Sequence, residues 1–178
     1  MLRLLYPRLY VPSLSEIDTD LLRRAGIRGI LLDLDNTIVP RDCECVLGDV
    51  ARWLLMLQET GFCLCIVSNN ELTRVSHLAG PLAIPAVHSA VKPLSFPFLR
   101  AMEILGTQPG ETAVIGDQIF TDVLGGNLLG LYTILVEPMA GKEFIGTRLI
   151  NRPLEKIVLA RLRRRQAGRN GSGNCRHS

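Results

Sequence analysis

Asp33 and Asp35 stand two residues apart at the end of an apolar run, Ile30-Leu31-Leu32, and Asn36 and Thr37 follow them. In extended backbone alternate side chains share a face, so both carboxylates can point the same way. Like charges held that close are unfavourable unless a cation sits between them or one carries a proton. The pair therefore suits a hard divalent metal bound through oxygen, and it suits proton transfer. Alone, the stretch reads equally well as a strand followed by an Asp-Asn turn. The decision falls to what stands at the ends of later strands.

Three further polar groups follow apolar runs, in order. Ser68 and Asn69 close the run 62–67, Lys92 follows a short run near 85–88, and Asp117 with Asp122 follows the run 112–115. A hydroxyl and backbone N–H groups suit phosphate oxygens, an ammonium suits phosphate charge, and carboxylates suit Mg²⁺. Each has an ordinary explanation. Ser68-Asn69-Asn70 reads as a turn and helix cap, and Lys92 as a solvated loop lysine. Asp117 reads as a turn residue after Gly116, and Asp122 as a favourable charge in a helix's first turn. All four explanations would have to hold together, each at a strand end, and that coincidence is improbable.

The elements that must position these residues alternate regularly. Strands are expected at 27–34, 62–67, 85–88, 112–115 and 131–136. An extended lead-in carrying Tyr6, Pro7, Tyr10 and Pro12 comes first, then a short helix capped by Ser15 with Ile17, Leu21 and Leu22. Further helices are expected from Asp49 to Gly61 (Val50, Trp53, Leu54, Leu57) and before Gly80 (Leu72, Val75, Leu78 inward). Two more run from a Ser95 cap to Gly106 (Leu99, Met102, Leu105) and across 120–129. A last one opens at Pro153 with Leu154, Ile157, Val158 and Leu162. Apolar strands without clean alternation, separated by helices, predict an α/β three-layer fold with a parallel sheet covered on both faces. Its ligands bind at the carboxyl ends of the strands.

A chain of 178 residues fits one domain, here 1–162 with its lead-in, followed by a basic tail, 163–178. Residues from Pro153 onward carry seven basic side chains and one acidic, a net +6, which against the overall +3 leaves −3 for the rest. No apolar run is long enough to cross a bilayer, and the N-terminus lacks the pattern of a signal peptide. A cytoplasmic location is expected, peripheral on a membrane if the ends make contact. The five cysteines are odd in number, with Cys63 and Cys65 expected in a buried strand and Cys43 and Cys45 in a loop without a second pair to complete a zinc site.

The four groups, as Asp33-Leu34-Asp35-Asn36-Thr37, Ser68, Lys92 and Gly116-Asp117-Gln118-Ile119-Phe120-Thr121-Asp122, resemble in order the motifs of the haloacid dehalogenase (HAD) superfamily. The resemblance covers about 29–136. Val67-Ser68-Asn69-Asn70 and the run from Gly116 to Asn127 look closer still to its subfamily IIIA, YqeG-like phosphatases, a branch that includes phosphatidylglycerophosphate phosphatases. The resemblance implies a Mg²⁺-dependent phosphomonoester hydrolase with Asp33 as nucleophile and Asp35 as acid and base. It implies metal ligands from Asp33, the Asp35 main-chain carbonyl and Asp117. Ser68, Asn69 and Lys92 would hold the phosphoryl group, supported by Thr37 and Asp122. HAD cap domains are inserted in gaps that are short here, so no cap domain is expected and a large substrate such as a phospholipid is admitted. A soluble sugar phosphate, nucleotide or phosphoprotein is the rival substrate class, and a non-catalytic binding module the rival of another kind. The N-terminal apolar run and the Arg-rich tail are candidate membrane contacts. Nucleic acid is not expected, because the tail has no aromatic platform beside it.

Overall fold

A computed structural model describes residues 2–139 of the chain; the helix expected at Pro153 and the basic tail lie outside them. Six strands form one sheet: β1 Leu9–Val11, β2 Gly29–Leu32, β3 Cys63–Val67, β4 Ala86–Val87, β5 Thr112–Gly116 and β6 Tyr132–Val136. Their order is β1-β6-β5-β2-β3-β4, with every pairing parallel. The helices between them are α1 Thr19–Arg24, α2 Gly48–Glu59, α3 Leu72–Ala79, α4 Ser95–Leu105 and α5 Leu124–Leu128.

Alternation along each strand feeds two cores. Ile30, Leu32, Leu64, Ile66 and Ile115 pack with Leu22 of α1, Val50, Leu54 and Leu57 of α2, and Val75 and Leu78 of α3. Leu31, Cys65, Val67 and Val114 pack on the other face with Phe98, Ala101 and Met102 of α4. With both faces apolar, period-two polarity vanishes from the sequence while period-two packing remains. Each such aliphatic side chain contributes about 1.5–3 kcal/mol by leaving water.

Several local expectations are corrected. Residues Leu14–Glu16 form a 3₁₀ turn, and α1 is capped by Asp18, whose carboxylate accepts the N–H groups of Asp20 and Leu21. Asp18 stands directly before Thr19, where its carboxylate reaches the free N–H groups of the first turn of α1, whereas Ser15 lies within the preceding 3₁₀ turn. Ser95 is the first residue of α4 rather than its cap, and Leu94 takes the cap position with no side-chain bond. Pro97 has no N–H for a Ser95 cap to satisfy. Leu72, expected inward, is exposed, and so is Cys63, the first residue of β3; Leu99 of α4 is exposed as well. The helix expected over 120–129 is split into a π turn, Ile119–Val123, followed by α5.

The lead-in is part of the sheet. β1 is the edge strand beside β6, and Tyr10 and Val11 are buried there. Asn127 donates from its side chain to the Leu4 and Tyr6 carbonyls at 2.7 and 3.0 Å, fixing the residues before β1. No helix of the described residues is long and apolar enough to cross a membrane.

Candidate active site

The carboxyl ends of β2, β3 and β5 lie side by side, and all four polar groups meet there. The Asp33 N–H donates to the Ile115 carbonyl at 2.9 Å, continuing the β2–β5 ladder one residue past the strand. The chain then folds back, with the Ile38 and Val39 N–H groups donating to the Leu34 carbonyl at 3.0 and 3.2 Å. Asn36 lies at φ 60°, a left-handed backbone that asparagine tolerates.

Lys92 is the centre of a buried ionic triad. Its Nζ donates to Asp33 Oδ1 at 2.5 Å and to Asp122 Oδ1 at 2.6 Å. Thr37 Oγ1 donates to the other Asp33 oxygen at 3.3 Å. Asp122 Oδ2 accepts from the Gln118 N–H and the Thr121 hydroxyl at 3.3 and 3.2 Å. A Cβ at Gly116 would stand 2.3 Å from the Asp122 carboxyl carbon, so that glycine is what lets the carboxylate sit against the end of β5. The π turn widens the chain at the same place, as such turns often do at functional sites.

Burial pushes the Asp33 carboxyl up to about 6, against the pull of the Lys92 ammonium. Burial opposes the Lys92 charge too, but Asp122 and Asp33 outweigh it and hold the ammonium above its ordinary value. Burial, then the charges of Asp33 and Asp122, holds the Asp117 carboxyl well above the usual carboxylate range. Asp117 Oδ1 is buried and finds no hydrogen-bond partner among the described residues. One oxygen each from Asp33, Asp117 and Asp122 lies within 4.8 Å of the others. Three carboxylates facing one ammonium leave an excess of negative charge, and with an unpartnered oxygen they fit an oxygen-loving divalent cation.

Asp35 is held from the outer side. Arg74 donates to Asp35 Oδ1 from Nε at 3.2 Å and from a terminal nitrogen at 2.9 Å, and Asn70 donates to Oδ2 at 3.0 Å. The same Arg74 nitrogen reaches the Arg41 and Cys43 carbonyls, tying the loop after the acidic motif to α3. Ser68 is buried, and its hydroxyl accepts from the Asn70 N–H and side chain at 3.2 and 2.9 Å.

The loop that carries Lys92 is strained and pinned. Ser89 and Val91 have φ of 48° and 54°, which for a β-branched residue costs roughly 1–3 kcal/mol. Ser89 N–H donates to the Asn70 carbonyl, Ala90 N–H to the Ser68 carbonyl, and Lys92 N–H to Asn69 Oδ1, all within 3.0 Å. Asn69, expected to hold substrate, thus commits its side-chain carbonyl to placing Lys92. His77 and His88 are exposed and outside the site.

Every expected site residue comes to this edge. Arg74 and Asn70 were missed as Asp35 partners. Asn70 lies in the loop after β3 and Arg74 in the first turn of α3, whose sequence signal is its apolar stripe of Val75 and Leu78.

The family model described as mitochondrial PGP phosphatase matches residues 2–140. The probable phosphatase YqeG of Bacillus subtilis is 38% identical over 159 residues, spanning 89% of this chain and 92% of that one. The mitochondrial phosphatidylglycerophosphatase of Saccharomyces cerevisiae is 30% identical, spanning 88% and 90%. Among solved structures, the cobalt-bound deoxy-D-mannose-octulosonate 8-phosphate phosphatase of Haemophilus influenzae aligns over 63% of this chain and 69% of that one. Its TM-score is 0.52 at 15% identity, a likeness of fold.

Proposed function

We propose a substrate and a mechanism from one premise: the chain belongs to the mitochondrial PGP phosphatase family and is a phosphatase of the HAD type. The substrate is phosphatidylglycerophosphate and the reaction is hydrolysis of its terminal phosphomonoester. What supports the chemistry above all is the buried Asp33–Lys92–Asp122 triad beside the unpartnered oxygen of Asp117. What supports the lipid is the name of the yeast relative.

Asp33 attacks phosphorus and the bond to the leaving alcohol breaks, giving an aspartyl-phosphate. Asp35 gives its proton to the leaving oxygen, then takes one from the water that attacks the intermediate and frees phosphate. Arg74 and Asn70 hold Asp35 in place for both transfers. Lys92 and Ser68 take phosphoryl oxygens, and Asn69 sets the Lys92 backbone. Mg²⁺, when bound, offsets charge on the transferring group. Asp33, Asp117 and the Asp35 main-chain carbonyl would hold it. The Asp122 oxygens are engaged by Lys92, Gln118 and Thr121, which suits a supporting role.

The test is phosphate release from phosphatidylglycerophosphate in mixed micelles with Mg²⁺, beside an aryl phosphate, for wild type and Asp33→Asn. Wild type should prefer the lipid, and the variant should lose activity on both by on the order of 10³-fold or more. Turnover of the aryl phosphate alone would remove the lipid reading. An active Asp33→Asn would remove the nucleophile assignment.

A further inference from the structure

The residues flanking Lys92 are apolar and face solvent. Val91, Leu94 and Phe96 are 63%, 60% and 72% exposed, three large side chains within six residues, while Lys92, Pro97 and Phe98 between and after them are buried. Single exposed apolar residues are ordinary, but a cluster beside a functional group marks a contact surface. The segment is firmly seated. The Lys92 N–H donates to Asn69 Oδ1, and just before the segment the Ser89 and Ala90 N–H groups donate to the Asn70 and Ser68 carbonyls. A Cβ at Gly125 would stand 2.5 Å from the Phe98 ring and 3.4 Å from Pro93, so both are pressed against α5. The result is a pinned segment in which exposed apolar side chains stand on either side of the buried Lys92.

We propose that Val91, Leu94 and Phe96 dock the protein on a phospholipid surface by entering its interfacial region. This rests on the lipid-phosphatase reading above. A diacyl lipid keeps its chains in the bilayer while its phosphomonoester reaches Lys92 and Asp33, so the segment bearing Lys92 is the one brought nearest the interface. Large apolar side chains there gain by burial in the boundary between headgroups and chains. Arg41 and Arg74 both pair with Asp35, with side chains 41% and 27% exposed, so two cations face one carboxylate at the site, an excess complementary to anionic lipid. A second copy of the chain seated on these residues would instead cover the segment past which the substrate must come.

The test is the double variant Leu94→Ser/Phe96→Ser, which leaves Lys92 and Val91 untouched. Sedimentation with vesicles of phosphatidylcholine and phosphatidylglycerol measures docking. Turnover is followed for phosphatidylglycerophosphate in those vesicles, for its water-soluble deacylated form and for an aryl phosphate. The variant should match wild type on the two soluble substrates, which also reports its folding. Its vesicle partitioning and vesicle turnover should both fall about ten-fold or more. Equal vesicle binding by the two proteins overturns the proposal, as does a wild type that stays in the supernatant, or a wild-type dimer that the variant turns to monomer with no change in vesicle binding. If wild type hydrolyses the deacylated substrate yet ignores vesicles, docking falls and the substrate reading stands. If the variant loses vesicle binding but neither protein hydrolyses the lipid or its deacylated form, docking stands and the substrate reading falls. Should the double variant not fold, Phe96→Trp serves: its emission shifts to the blue on adding vesicles if the projection inserts, and an unchanged spectrum overturns the proposal.

Discussion

Replacing Lys92 by Met tests whether the site is a charge balance held in a dry place. The ammonium is 3% exposed and meets Asp33 and Asp122 carboxylates that are 9% and 1% exposed, at 2.5 and 2.6 Å. Removing one partner of a buried ion pair costs about 3–5 kcal/mol, because the other charge is left without compensation. Here two carboxylates lose their partner and Asp117 stands in the same cluster, so the upper end of that range applies in chelator at pH 8. The cost should shrink on acidification. Asp33 in the folded protein is already raised from 3.8 to about 6, so folding favours its protonated form. That contribution is fully present below pH 4 and is lost as pH rises through about 6. Without the ammonium its carboxyl rises further, and a proton replaces the missing charge. Urea unfolding followed by far-UV circular dichroism, in chelator at pH 8 and pH 5, measures both. At pH 8 the midpoint should fall by at least about 1 M for the usual denaturant slopes, and at pH 5 by clearly less. Adding Asp33→Asn should restore part of the pH 8 stability while leaving the enzyme inactive. A Lys92→Met protein with the wild-type midpoint at pH 8, or one with equal deficits at both pH values, would refute the charge-balance account.

Two more outcomes follow from the same contacts. Arg74→Ala should lower kcat on an aryl phosphate about 10–100-fold with little change in KM, since Asp35 loses its orienting partner while the phosphate contacts remain; stability should change by less than about 1 kcal/mol, the pair being partly exposed, and an unchanged kcat would dismiss Arg74 as a positioning residue. Mg²⁺ should raise Tm more at pH 8 than at pH 5, because binding needs ionised carboxylates and both Asp33 and Asp117 take up protons above the ordinary carboxylate range. Asp117→Asn should abolish that shift while leaving the metal-free protein at least as stable, and an Asp117→Asn protein with the wild-type Mg²⁺ response would remove Asp117 from the ligand set.

The site was legible to the extent that chemistry sits at strand ends. Parallel strands bring their carboxyl ends to one edge, so Asp33, Ser68, Lys92 and Asp117 converge once each follows an apolar run. Arg74 was hidden for the same reason that helices are easy to find. A helix is recognised by its apolar stripe, here Val75 and Leu78, and the polar face carries no periodic signal to separate a ligand-side arginine from a solvated one. The direction of Asn69 was illegible because one side chain at a strand end can serve either a ligand or the backbone of the next loop, and only the register of that loop with β3 decides. The exposure of Leu72 and Leu99 follows from helix rotation, which hydrophobicity alone sets only to within a residue or so. The edge strand at Leu9–Val11 shows in sequence only as an extended lead-in, because three residues are too few to show a period.

The strain at Val91 ties these observations together. A β-branched residue at φ 54° persists only where its surroundings over-determine it. Three hydrogen bonds to the loop after β3 supply that determination, and the return is that Lys92 turns inward toward Asp33 while Val91 and Leu94 turn out. An inward Lys92 and an outward Val91 are two consequences of one backbone conformation. A residue that relaxed the loop would therefore move the Lys92 ammonium and the exposed apolar side chains at once. Under the docking proposal the bilayer presses on the same segment that carries Lys92. The surrounding structure must then be stiff there, and the bonds to Ser68, Asn69 and Asn70, with Phe98 and Pro93 against Gly125, give it that stiffness.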